Sequence, residues 1–436
     1  MRRTGQRAAT PAAALAGFGA TLAVIAAAMG TAAAADIPVG NLVDYTGRTA
    51  IVGTPYGQAK VDAAKWVNAH GGINGKTVNL DTVDYSYEVP RAIATYKKWN
   101  QAGYVAIQGW GTGDTEALVN FVGEDKVPYF SASYSAHLTD PTGKGPETKK
   151  PTPYNFIMAP SYSDGVRALL QWAKQDWEAK GGKGKPKYVH MGDNHPYPNA
   201  PKKAGEVYAA ELGFEVLPAI QYSLGPGDFK AQCLSLKESG ANYAFLANTS
   251  DSNVSLLKSC QTVGTDVQFM SNIWGYDENL MKAAGRAADG VVWVMGAVDW
   301  NSDAPGMKLV KEIAKNADPN ATYKPVHYIR GICSYYYMKE AMEWADKNGG
   351  ISGPKIKEGM YQKTDWVPAG LEGVCPKATW TPEDHRGFTE VLVYRGKVKE
   401  DPPANADIAQ LMADGTIGME KVYEVDIPRK PEWLGW

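Results

Sequence analysis

Residues 104–135 read YVAIQGWGTGDTEALVNFVGEDKVPYFSASYS, and this stretch decides the fold. Tyr104–Gln108 is a short apolar run that predicts a strand, and Gly109-Trp110-Gly111-Thr112-Gly113 predicts a turn whose glycines escape Cβ clashes. Asp114-Thr115-Glu116 then opens a helix with acids in its first turn, where they complement the helix dipole. Val127–Phe130 predicts the next strand, and Ser131-Ala132-Ser133-Tyr134-Ser135 follows it. In a parallel α/β sheet both loops stand at the carboxyl ends of neighbouring strands, where open sheets bind ligands. Hydroxyls, backbone N–H groups and a helix N-terminus converge there beside Trp110 and Tyr134. That combination suits a small anion or carboxylate on a flat or apolar body. Ordinary βα turns rich in small residues share the same composition.

The alternation of strand and helix extends both ways. Upstream come a strand at Ile37–Val43, a turn at Asp44–Gly47, a helix at Tyr56–His70 stopped by Gly71-Gly72, a strand at Thr77–Asp84 and a helix at Pro90–Ala102. Downstream, Pro141–Pro153 is a polar, proline-rich loop. A second series follows. It predicts helices at Ser163–Glu178, Ala200–Leu212 and Asp228–Ser239, the last capped by Asp228, and another ending at Val263. Its strands fall at Tyr188–Met191, Glu215–Tyr222, Tyr243–Ala247, Val267–Met270 and Val291–Met295. Helices near Gly306–Lys315 and Val326–Lys347 precede a tail, from about Thr379, of short strands and loops. Two such series imply an α/β protein of two doubly wound, Rossmann-like lobes, with a small-molecule cleft between them.

Residues 1–35 carry Arg2, Arg3 and Arg7, an apolar run from Ala12 to Met29, and small residues at Thr31–Ala35. This is the pattern of a cleaved signal peptide for general export, and it implies a periplasmic location. Taking 35 from 436 leaves 401 residues, too many for one core. Without the three arginines, 42 basic residues stand against 47 acidic ones, a net charge near −5 that argues against a nucleic-acid partner. The four cysteines, Cys233, Cys260, Cys333 and Cys375, allow three pairings. Cys233 and Cys260 fall on consecutive helices around the strand Tyr243–Ala247, which right-handed crossovers set side by side. That predicts Cys233–Cys260 and leaves Cys333–Cys375.

Enzyme signatures are weak. Gly109–Gly113 lacks the Gly-Lys-Ser/Thr of a phosphate-binding loop, and no Gly-x-Ser-x-Gly elbow occurs. His190-x-x-Asp193-x-His195 could seed a metal pair, but a third ligand is not evident, and structural histidines are the simpler reading. Neither catalysis nor a cofactor or metal is expected.

The chain resembles the periplasmic solute-binding proteins of the branched-chain amino acid type, which serve ABC importers. The resemblance rests on Leu42–Gly57, on AHGGING at Ala69–Gly75, on Val105–Thr115, Val127–Ser135, His190–Tyr197 and Asp228–Gly264, and on TWTPEDHR at Thr379–Arg386. It implies the type I fold, two lobes joined by three hinge crossings, here near Ile157–Ser161, Met295–Trp300 and Thr379–His385. The implied division is residues 36–157 for the first lobe, 158–296 for the second, 297–380 returning to the first, and 381–436 to the second lobe and hinge. By the same resemblance, hydroxyls and backbone N–H groups at Thr112, Gly113, Ser133 and Ser135 hold a ligand carboxylate. Tyr197 covers the ligand from the second lobe, and Asn248, Thr249 and the segment Ile51–Gly53 contribute. The partners so implied are a small-molecule solute and a membrane permease, with the protein itself a monomer.

One departure bears on the ligand. Amino acid binders of this type place an acid after the strand matching Val267–Met270; here the loop is SNIWGY, with Ile273 or Trp274 at the matching place and Asp277 beyond it. A buried ammonium without a carboxylate costs several kcal/mol, about what unpaired buried ions cost. An amide, or a carboxylate with an apolar or aromatic body sandwiched by Trp110, Tyr134, Tyr197 and Trp274, fits better. Delivery to an importer is the first expectation. A ligand sensor feeding a regulator or receptor is the alternative.

Overall fold

A computed structural model describes residues 36–148 and 150–436. The expected signal peptide lies outside the described residues. The first series forms β1 (Ile37–Val43), α1 (Ala50–Ala69), β2 (Val78–Asp84), α2 (Val89–Gln101), β3 (Ala106–Gln108), α3 (Thr112–Asp125), β4 (Tyr129–Ser131) and β5 (Asn155–Ile157). The second forms α4 (Tyr162–Ala179), β6 (Lys187–Gly192), α5 (Pro196–Asn199), α6 (Lys202–Glu211), β7 (Glu215–Val216), β8 (Ile220–Gln221), α7 (Lys230–Ser239), β9 (Tyr243–Leu246), α8 (Ser250–Val263), β10 (Gln268–Ser271), α9 (Glu278–Ala284) and β11 (Val292–Met295). Then come α10 (Met307–Ala317), α11 (Val326–Lys347), α12 (Gly353–Met360), β12 (Thr379–Thr381), β13 (Asp384–Gly387), β14 (Glu390–Val398), α13 (Ile408–Ala413) and β15 (Ile417–Asp426).

Two large sheets result, one per lobe. The first runs β2-β1-β3-β4-β5 and is parallel throughout. The second runs β15-β14-β11-β10-β9-β6-β7, with β8 also on β6. Its strands from β11 to β7 are parallel, while β14 and β15 add on antiparallel at one edge. In both sheets the strand order reverses beside the first strand of the series, between β1 and β3 and between β6 and β9. Such switch points open a crevice at the carboxyl ends of the strands. Consecutive strands pass from the first sheet to the second after Ile157. The chain leaves the second sheet after Met295 and re-enters it at Glu390.

The structure corrects several element boundaries, each for a local reason. Helix α1 begins at Ala50, before Pro55, rather than at Tyr56. The Asp44 carboxylate accepts the backbone N–H of Gly47 at 2.6 Å and of Thr49 at 2.9 Å, which fixes the chain where it enters the helix. The helix expected at Ala200–Leu212 forms as α6, starting two residues later at Lys202 because Pro201 withholds an N–H donor, and a short helix, α5, appears in the loop before it. Pro218 likewise splits the strand expected at Glu215–Tyr222 into β7 and β8. Asp228 accepts the N–H of Lys230 at 3.1 Å, but Phe229 is the cap position of α7. The tail, read as short strands and loops, contributes β14 and β15, of 9 and 10 residues. Val391 and Val393 alternate inward along β14 and are buried.

Both disulfides pair as expected, Cys233–Cys260 between α7 and α8, and Cys333–Cys375 between α11 and the loop before β12. Helix α11 lies against α1, and at Gly331 the approach is too close for a side chain: a Cβ there would fall 2.4 Å from the Tyr56 carbonyl oxygen. Among the described residues no helix is long and apolar enough to cross a membrane.

Candidate functional site: the interlobe cleft

The two switch points face each other, and the loops leaving their strands line one cavity. From the first lobe come Thr49 and Val52 after β1, Tyr87 after β2, Trp110, Gly111 and Thr112 after β3, and Ala132 after β4. From the other side come Tyr162 at the start of α4, Tyr197 in α5, Thr249 before α8 and Trp274 after β10. The space open to a molecule is about 20 Å³, enough for about one water. The whole empty volume, mouth included, is about 240 Å³, below the ~300–1,000 Å³ of drug-sized sites.

Ring packing keeps it small. Trp274 is the hub, with ring centroids of Trp110 at 4.9 Å, Tyr56 at 5.3 Å, Tyr134 at 5.5 Å and His327 at 5.1 Å. The guanidinium of Arg330, on α11, covers the Trp274 ring at 3.8 Å, and its Nη1 donates to the Ile273 carbonyl at 3.0 Å. The Arg330 Nε and Nη2, and the hydroxyls of Tyr56 and Tyr134, are buried with no hydrogen-bond partner among the described residues. Asp277 accepts the Leu280 N–H at 2.7 Å and lies 3.3 Å from His327 Nε2, so its carboxylate serves α9 and α11.

Most polar tips around the cavity are satisfied from within. Trp110 Nε1 donates to Thr49 Oγ1 at 2.9 Å, and that hydroxyl donates to Asp44 at 2.6 Å. The Tyr197 hydroxyl donates to Asn272 Oδ1 at 2.8 Å, and Trp274 Nε1 donates to the Tyr162 hydroxyl at 3.1 Å. Thr112 and Ser133 share one hydroxyl–hydroxyl bond at 2.7 Å. Behind them Asp114, fully buried, accepts Tyr85 at 2.6 Å and Tyr129 at 3.2 Å. Burial pushes its carboxyl up to about 7, against the pull of those donors. No side chain fits at Gly111, where a Cβ would stand 2.3 Å from the Tyr87 ring and 2.4 Å from Asp114 Oδ1.

Of the residues singled out from sequence, Trp110, Thr112, Tyr197, Thr249, Trp274 and, from the segment Ile51–Gly53, Val52 line the cavity. Ser133 reaches it only through Thr112. Gly113 packs toward His195, and Tyr134 packs on the far side of the Trp274 ring cluster. Ser135 precedes a short 3₁₀ turn, its hydroxyl buried and unpartnered. The Asn248 side chain turns inward, donating to the carbonyls of Tyr222 and Ser223 and accepting from Asp193 N–H. Tyr87, Tyr162 and Thr49 were not foreseen; the Tyr85-Ser86-Tyr87 triplet at the exit of β2 was the available signal. His190 is buried with both ring nitrogens unpartnered, His195 accepts the Tyr197 N–H at 3.2 Å, and no metal-holding group of three occurs among the described residues. Thr381–Arg386 forms the β12–β13 turn, with Arg386 paired to Asp384.

The sequence model of the periplasmic binding proteins matches residues 36–402. No curated protein matches the chain. Among solved structures, a substrate-binding protein of an ABC transporter from Aeropyrum pernix is 24% identical, with a TM-score of 0.75 over 92% of this chain and 98% of that one. A branched-chain amino acid ABC transporter protein from Thermus thermophilus, solved with bound valine, is 20% identical, with a TM-score of 0.77 over 91% and 97%. A fatty acid ABC transporter substrate-binding protein from Thermomonospora curvata is 18% identical, with a TM-score of 0.71 over 86% and 94%. At these identities the likeness is one of fold.

Proposed function

The chain belongs to the periplasmic binding protein family, and on that premise we propose that it captures a small organic solute between its lobes and delivers it to the permease of an ABC importer. The observation that carries this reading is the cavity lined from both switch points at once. A solute there touches both lobes, so it favours their approach by contacts that exist only when they meet. The passages after Ile157, after Met295 and before Glu390 act as the hinge in this proposal. Residues 1–35 act as the export signal, and the working protein is a periplasmic monomer.

The polar end of the solute meets the hydroxyls of Thr112, paired with Ser133, and of Thr249. Its body meets Trp110, Tyr197 and Trp274. A carboxylate or an amide with a compact apolar body suits this division. The family binds solutes rather than transforming them, so affinity is the quantity to measure. A thermal-shift screen of carboxylates, amides and amino acids tests the reading, since a solute held only by the folded protein raises the melting point. Valine belongs in the panel because the Thermus thermophilus neighbour carries it. Loss of binding in Ser133→Ala plus Tyr197→Ala, with the fold intact, supports the site; unchanged affinity overturns it. Deleting the gene abolishes uptake of the bound solute if delivery is its role.

A further inference from the structure

We propose that the cleft selects a compact, uncharged, hydrogen-bonding solute, such as a short amide, a urea or a short alcohol, over a carboxylate or an amino acid. This rests on the cleft being the solute site. Among the described residues no charged side chain lines the cavity, so neither an ammonium nor a carboxylate finds an ion partner in its lining. Asp277, the acid nearest in sequence to the Trp274 loop, caps α9 through the Leu280 N–H, lies 3.3 Å from His327 and is not a lining residue. Arg330 covers the Trp274 ring and is not a lining residue.

The place where an anion would sit is already answered from inside the protein. Gly111 N–H, at the start of α3, donates to the Tyr85 hydroxyl at 3.2 Å, and that hydroxyl donates to Asp114. Asp114 is 1% exposed and lies two residues beyond Thr112 in the first turn of α3, about 3 Å along the helix axis. A second carboxylate close by meets that charge above about pH 7, where Asp114 is ionised, and enters below it only beside a protonated Asp114. The facing helix, α8, also has an acid in its first turn, Asp251. Both helix dipoles that could favour an anion are therefore partly offset.

Thr249 points to the ligand's chemistry. It is the cap residue of α8, yet its side chain makes no capping bond. The residue is 2% exposed and lines the cavity, and its buried hydroxyl has no partner among the described residues. A hydroxyl can donate or accept, so it satisfies an amide oxygen, an amide N–H or an alcohol equally. With room for about one water, the cavity takes any of these solutes only as its walls part, and a planar aromatic body needs Trp274 to move as well.

The test is calorimetry on the mature chain with matched pairs: propionamide against propionate, urea and 1-propanol against valine. The expected result is that the neutral member binds at least ten-fold more tightly than its charged counterpart. Asp114→Asn then raises propionate affinity relative to propionamide about ten-fold, a readout that simple loss of structure does not produce. Propionate or valine binding as tightly as the uncharged solutes, and losing that binding in Tyr197→Ala, overturns the proposed class and leaves the cleft standing. Silence from every uncharged solute also overturns the proposal, and if the charged solutes are silent too, the reading of the cleft falls with it.

Discussion

Trp274, which follows β10 in the second lobe, stacks on Tyr134, which follows β4 in the first, with 5.5 Å between centroids and 16° between ring planes. Arg330 on α11 lies over both rings, 3.8 Å from one and 5.5 Å from the other. The contact joins the lobes and takes up the space an aromatic ligand would need.

Replacing Trp274 with Ala therefore has two effects. The stack and the cation–π contact vanish, and a buried ring of this size costs about 3 kcal/mol or more on truncation. The cleft also enlarges, so solutes too bulky for the native protein gain binding. Denaturant unfolding reads the first effect and a thermal-shift panel of graded solute size reads the second. An unchanged size preference would show that the indole does not set the cleft's capacity.

Lys60, on α1, is fully buried; its amine reaches the Gly109 carbonyl at 3.5 Å and lies 5.0 Å from the centroid of the Tyr56 ring. Burial lowers its pKa from 10.5 to about 7. The unfolded chain thus binds more protons between about pH 7 and 10.5, and the stability of the native protein rises with pH across that window. Lys60→Met removes this slope. Its melting point exceeds the native one most at and below pH 7, and the gap closes toward pH 10.

The buried imidazoles act at the acid end. His190 and His385 are both held near pKa 3, chiefly by burial, against an ordinary value of 6.5. Lys202 opposes charge on His190, and Lys357 opposes it on His385. The stability they contribute is complete above about pH 6.5 and is lost as the pH falls toward 3. Each adds a slope of up to about 1.4 kcal/mol per pH unit. His190→Phe is the cleaner variant, since His385 also bonds Tyr361 and Asn155. Urea unfolding at a series of acid pH values should show a shallower decline for His190→Phe.

The disulfides differ in what they join. Cys233 and Cys260 bridge adjacent helices over 27 residues, whereas Cys333 and Cys375 tie α11 to the loop ahead of β12 over 42. Chain-entropy arithmetic gives about 3–4 kcal/mol for loops of these lengths. Removing the first pair, as Cys233→Ala with Cys260→Ala, lowers stability by that order and leaves solute affinity near the native value. Removing the second pair loosens α11, which carries Arg330, and so weakens affinity as well. Calorimetric binding on both double variants separates the two roles.

Much of the fold was legible along the chain. β1 and α11 fall where period and composition put them, and the Cys233–Cys260 pair follows from two helices flanking one strand. The misplaced boundaries share a cause. Pro55 looks like a helix start until the Asp44–Thr49 hydrogen bonds set the entry, and Pro218 interrupts a run that otherwise reads as one strand. The antiparallel edge formed by β14 and β15 was missed because β14 joins the sheet on β11, with Arg395 opposite Val292, far back along the chain.

By itself the sequence determined the alternation that builds two parallel sheets, and so the existence of two switch points, because local periodicity and turn chemistry act over a few residues. Which polar groups face the cleft was decided only by tertiary structure. Asp114 takes its hydroxyl donors from Tyr85, 29 residues upstream, and Tyr129, 15 residues downstream. Asn248 spends its amide on the chain around Tyr222, while its neighbour Thr249 keeps a free hydroxyl at the cavity. Hydrogen-bond satisfaction inside a dry interior depends on which distant segments arrive there.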